Sequence, residues 1–511
     1  MRIFSEEQAE LLDVKTARFN VVTYSKIVES QSCQIDFLFK QVEALQKYIF
    51  DKDQQLLISQ EQLDEYARLQ FGRSSEKRSG LTPLFDGVAP TWAPVEPAKP
   101  KKERTGHGRK EQPKLPVEEI IYKLTEKEVE DQKLKVFEGQ YEVSELITFH
   151  APRVVIEKTM RQKYFGSVSL LSGEPTIITA PGPLKLFEKS RYSIDFGIQT
   201  GLDKYDSHLP LSRQVKRFRE QGLEIKEQTL FDQIDQISWY LKAHVVDPIH
   251  AYILSSEVAQ ADETWWANLK EKKKFYLWAV TNEKAVSFII YNSRSQEAAE
   301  NFLKGFKGTL LTDGYQCYKN IESAKNLAND WSHVRRKFIT SEKSYPQESA
   351  WFIEKIKDLS QIEKRAKGLE PPEILKLRQL ESKPIVDEIH EKLLNLKNQI
   401  MPEGSLGKGI GYSLNLWSGL NVYLSNPLVP MTTNLIERLQ RSPVVGRKNH
   451  YGSRTLKSAQ VAANWYTIIG TCELSGIVPR EYIKYALTQI LTKQKPLLPW
   501  EYKAMITEAI V

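Results

Sequence analysis

The chain has 511 residues, 41% hydrophobic and 27% charged, with a formal net charge of +7. At roughly 150 residues per domain, this length implies about three to four domains and a large core, and the charge is a mild lean toward a polyanionic partner. Cys33, Cys317 and Cys472 stand far apart with no CxxC pair, and no stretch approaches the roughly 20 apolar residues of a membrane span, which argues against a disulfide framework, a cysteine zinc site and a membrane protein.

Residues 1–77 are expected to be helical. Ile35, Leu38, Val42, Leu45, Ile49, Leu56 and Leu63 follow steps of three and four, the spacing of a coiled-coil seam, with Lys52 and Ser59 interrupting it. The same stripe suits one long amphipathic helix packed on its own chain. Residues 78–116 set Pro90, Pro94, Pro97 and Pro100 among lysines and arginines and read as a basic linker able to reach phosphates. Alternation in Val154-Val155-Ile156 and Lys163-Tyr164-Phe165 predicts a small β-containing module over 117–185. Helical spacing returns over 186–256, where Arg213, Lys216, Arg217 and Arg219 precede Gly222 and a second helix around Thr229. That is a helix-turn-helix outline, and also the outline of two packed helices with a basic outer face.

Over 257–340 the pattern is α/β, with strands predicted at 258–261, 275–280, 286–291 and 309–312 and a helix at 296–306. Three strands, a helix and a further strand is the order in which a ribonuclease H-like sheet begins. Residues 341–430, dense in Lys, Glu and Leu, predict a helical insertion; 431–472 a helix carrying Glu437 and a basic segment; 473–511 a helical tail. Gly407-Lys408-Gly409-Ile410-Gly411 lacks the strand and lysine spacing of a phosphate loop and reads as a connection between helices. The expected fold is thus a multidomain chain with an α/β catalytic core of ribonuclease H-like type.

Three acidic signatures stand in order: Ala261-Asp262-Glu263-Thr264, Thr312-Asp313-Gly314-Tyr315 and Asn434-Leu435-Ile436-Glu437-Arg438. If adjacent strands bring Asp262 and Asp313 to one sheet edge and a helix delivers Glu437, the three supply the hard oxygen ligands that two magnesium ions need against a phosphodiester. Either aspartate alone reads equally as a turn or cap residue.

This set resembles the insertion sequence 66 family of DDE transposases over almost the whole chain. The resemblance is carried by Asn434-Leu435-Ile436-Glu437-Arg438 with the trailing Gly446-Arg447-Lys448-Asn449, by Tyr276-Leu277-Trp278, by His333-Val334-Arg335-Arg336-Lys337-Phe338, and by Leu497-Leu498-Pro499-Trp500. Upstream, Phe71-Gly72-Arg73-Ser74-Ser75-Glu76-Lys77 and His208-Leu209-Pro210-Leu211-Ser212-Arg213-Gln214 are also similar to family segments.

The resemblance implies Asp262, Asp313 and Glu437 as metal-binding catalytic residues, with two Mg2+ ions for which Mn2+ substitutes. It implies element-end DNA with terminal inverted repeats, cut to expose 3′-hydroxyls that attack target DNA. Expected DNA-binding residues are Arg213, Lys216, Arg217, Arg219, His333, Arg335, Arg336, Lys337, Arg438, Arg447 and Lys448. Countering the charge of the carboxylate cluster is another reading of Arg438, Arg447 and Lys448, a salt bridge within its helix a further one of Arg438, and a solvated basic face that of residues 333–337. A homo-oligomer, small accessory proteins of the same element and a cytoplasmic, nucleoid-associated location are further implications.

The chain departs from the family's pattern in four stretches, one of them the stretch after Asn449, which with His450-Tyr451-Gly452 is shorter than usual. The stretches around Lys135-Val136-Phe137-Glu138-Gly139 and Lys163-Tyr164-Phe165-Gly166 lack the cysteines of the usual zinc module, so no zinc is expected. Thr432-Thr433 replace the acidic and amide residues usual before Asn434, and Asp330 stands where a cysteine is common before Trp331. The rival functions are a catalytically inactive, transposase-derived DNA-binding regulator, which three intact carboxylates oppose, and a metal-dependent nuclease without strand transfer.

Overall fold

The computed structural model of the protein describes residues 14–71 and 154–508, apart from residues 162, 169–174, 180, 188–189, 320 and 323. The chain divides into two compact units, residues 1–78 with 158–511, and residues 79–157. The second is described only at residues 154–157, which form neither helix nor strand despite their β-branched sequence. The basic linker and residues 117–153 of the expected β module lie outside the described residues.

Helix α1, Val14–Phe71, is a single helix of 58 residues. Its predicted seam, Ile35, Leu38, Val42, Leu45, Ile49, Leu56 and Leu63, is exposed throughout. Another face holds it to its own chain near its end. Leu57 packs on an apolar cluster, Gln54 accepts a hydrogen bond from the Tyr345 hydroxyl at 2.9 Å, and Glu61 accepts from the Ser405 N–H at 2.9 Å.

Strands β1 (Lys163–Val168) and β2 (Pro175–Thr179) pair antiparallel. Helices α2 (Ile194–Tyr205), α3 (Leu211–Glu220) and α4 (Glu227–Leu241) follow, and α4 continues through a π-helical turn into α5, Asp247–Leu254. Gly222, at φ +84°, permits the reversal between α3 and α4. Ile198, Leu202, Ile234, Ile237 and Leu241 bury their side chains in the main core beside the sheet.

That sheet comprises β3 (Val258–Asn268), β4 (Lys273–Thr281), β5 (Val286–Tyr291), β6 (Thr309–Thr312) and β7 (Asn326–Asn329), in the order β5-β4-β3-β6-β7. The β3-β4 and β4-β5 pairs are antiparallel, while β3-β6 and β6-β7 are parallel. Helix α6, Gln296–Phe302, connects β5 to β6; it stops short of residue 306, where the backbone enters the left-handed region at Gly305 (φ +94°). β3 runs seven residues beyond the predicted end because it stays paired with β4 as far as Asn268↔Lys273, with Trp266 buried. β7 escaped prediction: Asn326-Leu327-Ala328-Asn329 contains no β-branched residue. The open edge at β5 is covered by a helix nearer the end of the chain, Leu456–Ser475.

After β7 come α7 (Trp331–Ser341), α8 (Pro346–Ala366), α9 (Pro371–Leu377), α10 (Lys383–Lys397), α11 (Ser405–Asn415) and the short α12 (Trp417–Leu420) and α13 (Val422–Ser425). These helices bury a second core that includes Trp331, Phe338, Phe352, Ile356, Ile389 and Leu393. The Gly407–Gly411 stretch is not a connection but part of α11; a Cβ at Gly407 would lie 2.0 Å from the Met401 carbonyl, so the glycine lets chain segments meet.

The chain closes with α14 (Asn434–His450), α15 (Leu456–Ser475), α16 (Pro479–Leu491) and α17 (Pro499–Glu508). α15 lies over β5, and its Thr467 and Thr471 hydroxyls accept hydrogen bonds from the Phe288 and Val286 N–H groups at 2.9 and 3.2 Å. An edge strand whose donors are taken in this way is protected from pairing with another chain. Among the described residues, no helix is long and apolar enough to cross a membrane.

Candidate active site

The parallel register fixes the first two carboxylates. Val258 lies opposite Thr309 and Gln260 opposite Leu311, so continuing the register sets Asp262 level with Asp313 at the C-terminal end of β6. Side chains alternate along a strand, and Gln260, Asp262 and Thr264 therefore share one face of β3. Helix α14 covers that face. The Gln260 amide oxygen accepts from the Ile436 N–H at 3.4 Å, satisfying one of the helix's first-turn donors, and Arg447 near the other end of α14 donates to the Thr264 hydroxyl at 3.1 Å. Glu437, in the first turn of α14, is thereby brought toward Asp262.

Asp262 feels the charge of the other two acids. Burial pushes the Asp262 carboxyl well above the usual range, and the negative charges of Glu263, Asp313 and Glu437 push it further in the same direction. Asp262, Asp313 and Glu437 are each partly exposed. A carboxyl whose ionisation is opposed by neighbouring negative charges is suited to a bound cation, which removes the repulsion. Hard oxygen donors of this kind fit magnesium or manganese.

The surroundings hold the acids in place. Asp313 accepts the Tyr315 N–H at 2.8 Å, and the Tyr412 hydroxyl of α11 donates to the Asp313 carbonyl. Gly314 sits at φ +81°, and a Cβ there would lie 2.5 Å from Leu416. Gly314→Ala should destabilise the protein by about 1–2 kcal/mol, the cost of a side chain in left-handed backbone, read as a lowered melting temperature. Behind Asp262, Glu263 is paired with Arg294 at 2.6 Å and with the Tyr318 hydroxyl. Burial outweighs these partners, so Glu263 also titrates above its usual range.

Sequence reasoning missed Asp330. The register of β6 and β7, Thr309↔Asn326 through Thr312↔Asn329, continues to place Asp330 beside Asp313, so three consecutive strands each present an aspartate at one level. Asp330 caps α7, accepting the Ser332 N–H at 2.7 Å. Burial would raise its pKa, but the hydrogen bond and charge of His333 prevail and lower it. His333 rises correspondingly, burial being overcome by Asp330. The detectable signal was the Asp-x-x-His spacing, Asp330 to His333.

The expected DNA contacts divide. Arg213, Lys216 and Arg219 form an exposed face of α3, whereas Arg217 is paired with the buried Asp203. Lys337, Arg438 and Lys448 are exposed, while His333, Arg335 and Arg336 are half-buried. Arg336 lies 3.5 Å from Glu437. Arg447 is 3% exposed; it stacks 3.8 Å from the Trp265 ring centroid and donates to the Trp265 carbonyl. Its contacts join α14 to β3.

A family model described as "Transposase IS66 family" matches residues 191–461, more than half of the chain and the span that contains all three carboxylates. The chain belongs to the IS66 transposase family. This family member is similar to "Uncharacterized protein y4jD" of Sinorhizobium fredii (strain NBRC 101917 / NGR234), 28% identical over 377 residues that cover 68% of this chain and 73% of the relative. It is also similar to "Uncharacterized protein y4qI" of the same strain, 24% identical over 388 residues covering 70% and 71% of the two chains.

The charge on Asp262 gives a sign for pH and metal dependence. A carboxyl raised in the folded state above its unfolded value costs stability that appears as pH rises above the unfolded pKa and is complete above the folded one. Asp262→Asn should therefore raise the melting temperature at neutral pH without divalent ions. Added Mn2+ should stabilise the wild type, more strongly as pH rises, and stabilise Asp262→Asn less. Calorimetric melting at several pH values, with and without Mn2+, checks both signs.

Proposed function

We propose that the protein is a DNA transposase that cuts and joins DNA strands through a DDE site made of Asp262, Asp313 and Glu437. One observation carries the reading: the parallel register of β3 and β6 sets Asp262 level with Asp313, and the hydrogen bond of Ile436 to Gln260 lays the first turn of α14, with Glu437, over the same face of β3. Three antiparallel strands followed by two parallel ones, in the order β5-β4-β3-β6-β7, support a ribonuclease H-like core. Family membership supports DNA as substrate.

In this mechanism the three carboxylates would hold two Mg2+ ions, with Mn2+ able to substitute. Such ions supply a deprotonated attacking oxygen and a stabilised leaving oxygen. The chain's own part is positional and electrostatic. β3 and the end of β6 hold Asp262 and Asp313 level, α14 brings Glu437 in from the side, and their partial exposure leaves the edge open to a strand. Exposed Arg213, Lys216, Arg219, Lys337, Arg438 and Lys448 are the cations proposed to meet DNA phosphates, whose contacts position the duplex and make binding salt-dependent. The exposed stripe of α1 is where a second copy is proposed to pair.

The test incubates the protein with a labelled duplex carrying the flanking inverted repeat, a second unlabelled duplex and Mg2+. The reading predicts nicks that leave 3′-hydroxyls and label joined to the second duplex. Cleavage without joining would mean a nuclease, and specific binding without either would mean a regulator.

A further inference from the structure

Asp330 follows the end of β7, level with Asp313 and Asp262, and it is fully buried. Its hydrogen-bonding capacity is nearly filled from within the protein. One oxygen accepts the Ser332 N–H at 2.7 Å; the other accepts the Ser332 hydroxyl at 2.5 Å, the His333 Nδ1–H at 2.7 Å and the Thr433 hydroxyl at 2.7 Å. Asp330, His333 and Glu437 each offer an atom within 4.8 Å of the others, but a carboxylate so occupied is better placed as an outer partner than as a metal ligand.

Those bonds reach two things that govern Glu437. Thr433 is the N-cap of α14, and its carbonyl accepts the Glu437 N–H at 3.1 Å. A bond from Asp330 to Thr433 therefore ties the first turn of α14 to the end of β7. His333, held through Nδ1 by Asp330, turns its Nε2 toward Glu437, 3.8 Å from the carboxylate. The buried aspartate thus grips both the backbone beneath Glu437 and the ring beside its side chain.

We propose that Asp330 is a positioning residue which, through Thr433 and His333, fixes the Glu437 carboxylate in register with Asp262 and Asp313. The inference rests on the reading of Glu437 as a metal ligand given above. Its chemistry is that of outer partners at metal centres, whose loss typically weakens metal binding about 10–100-fold while the ligands remain.

The test measures Mn2+ binding to the full chain without DNA, by the electron paramagnetic resonance signal of free Mn2+, with melting temperature recorded alongside. Asp330→Asn keeps shape but loses charge; Thr433→Val loses the hydroxyl and Thr433→Ser keeps it; Glu437→Gln is the reference. Expected is a loss of tight Mn2+ binding in Glu437→Gln and a weakening of about 10-fold in Asp330→Asn and Thr433→Val. Thr433→Ser should bind as wild type, with melting close to wild type in the threonine variants. If Glu437→Gln loses Mn2+ while Asp330→Asn and Thr433→Val bind normally, the positioning role is wrong and the metal site stands. If Glu437→Gln itself binds normally, the metal-site reading fails and this inference fails with it. Should Asp330→Asn not fold, the Thr433→Val and Thr433→Ser pair decides alone: equal Mn2+ affinity in the two overturns the proposal.

Discussion

Asp262→Asn, Asp313→Asn and Glu437→Gln should each lower cleavage and joining by about a thousandfold or more, because each removes several kcal/mol of metal-dependent stabilisation at the reacting phosphate. Binding of the element end should persist in all three, since the exposed cations of α3 and α14 remain. It should even tighten slightly, one negative charge having left an edge that faces phosphates. Gel-shift titration and a labelled-strand assay on the same preparations separate the two effects. A variant that lost end binding in proportion to cleavage would point to a folding defect rather than to chemistry.

The largest expected effect on stability lies in the helical insertion. Arg378, 3% exposed, pairs with Glu363 at 2.7 Å, and its Nη1 donates to the carbonyls of Tyr423 at 2.7 Å and Asn426 at 3.0 Å. This cation ties α8 to the segment that leads into α14. Arg378→Ala should cost about 3–5 kcal/mol, since it leaves the Glu363 charge buried without a partner. Replacing both residues with apolar side chains of similar volume should recover most of that loss. Chemical denaturation of the single and double variants checks this; a double variant as unstable as Arg378→Ala would mean that the carbonyl contacts, not the charge pair, dominate.

The sequence made different parts of this molecule legible to different degrees. The strands β4, β5 and β6 were readable because they are apolar runs rich in β-branched and aromatic residues, bounded by polar turns. β7 was not, because a short strand between a loop and a helix cap needs no β-branched residue once its neighbours supply the ladder. Asp262 and Asp313 were readable as acids following apolar strand residues, although Asp262 falls inside β3 rather than at its end; their common level depends on β3 and β6 being neighbours, a property of sheet order that periodicity does not carry. Missing β7 also hid Asp330, whose place beside Asp313 exists only in the register. The two departures from the family's pattern around the third acid, Asp330 and Thr433, hydrogen-bond each other at 2.7 Å, a contact across 103 residues that no local pattern could reveal.

The basic residues show the same limit. Arg447 sits in a basic run, and nothing in that run reveals its contacts with Thr264 and Trp265, from a strand more than 180 residues earlier. The long stripe of α1 gave the helix correctly, while its side of contact came from Gln54, Leu57 and Glu61, residues off the seam. In each case the local rule named the element and long-range packing decided which face was used.

Crystals of the protein soaked in Mn2+ test whether Asp262, Asp313 and Glu437 form one cation site. Anomalous scattering from manganese locates the ions without reference to activity. Manganese peaks should be bounded by these three carboxylates, at least one touching both Asp262 and Asp313. Peaks bound elsewhere, with these three side chains left without metal at saturating Mn2+, would contradict a shared site.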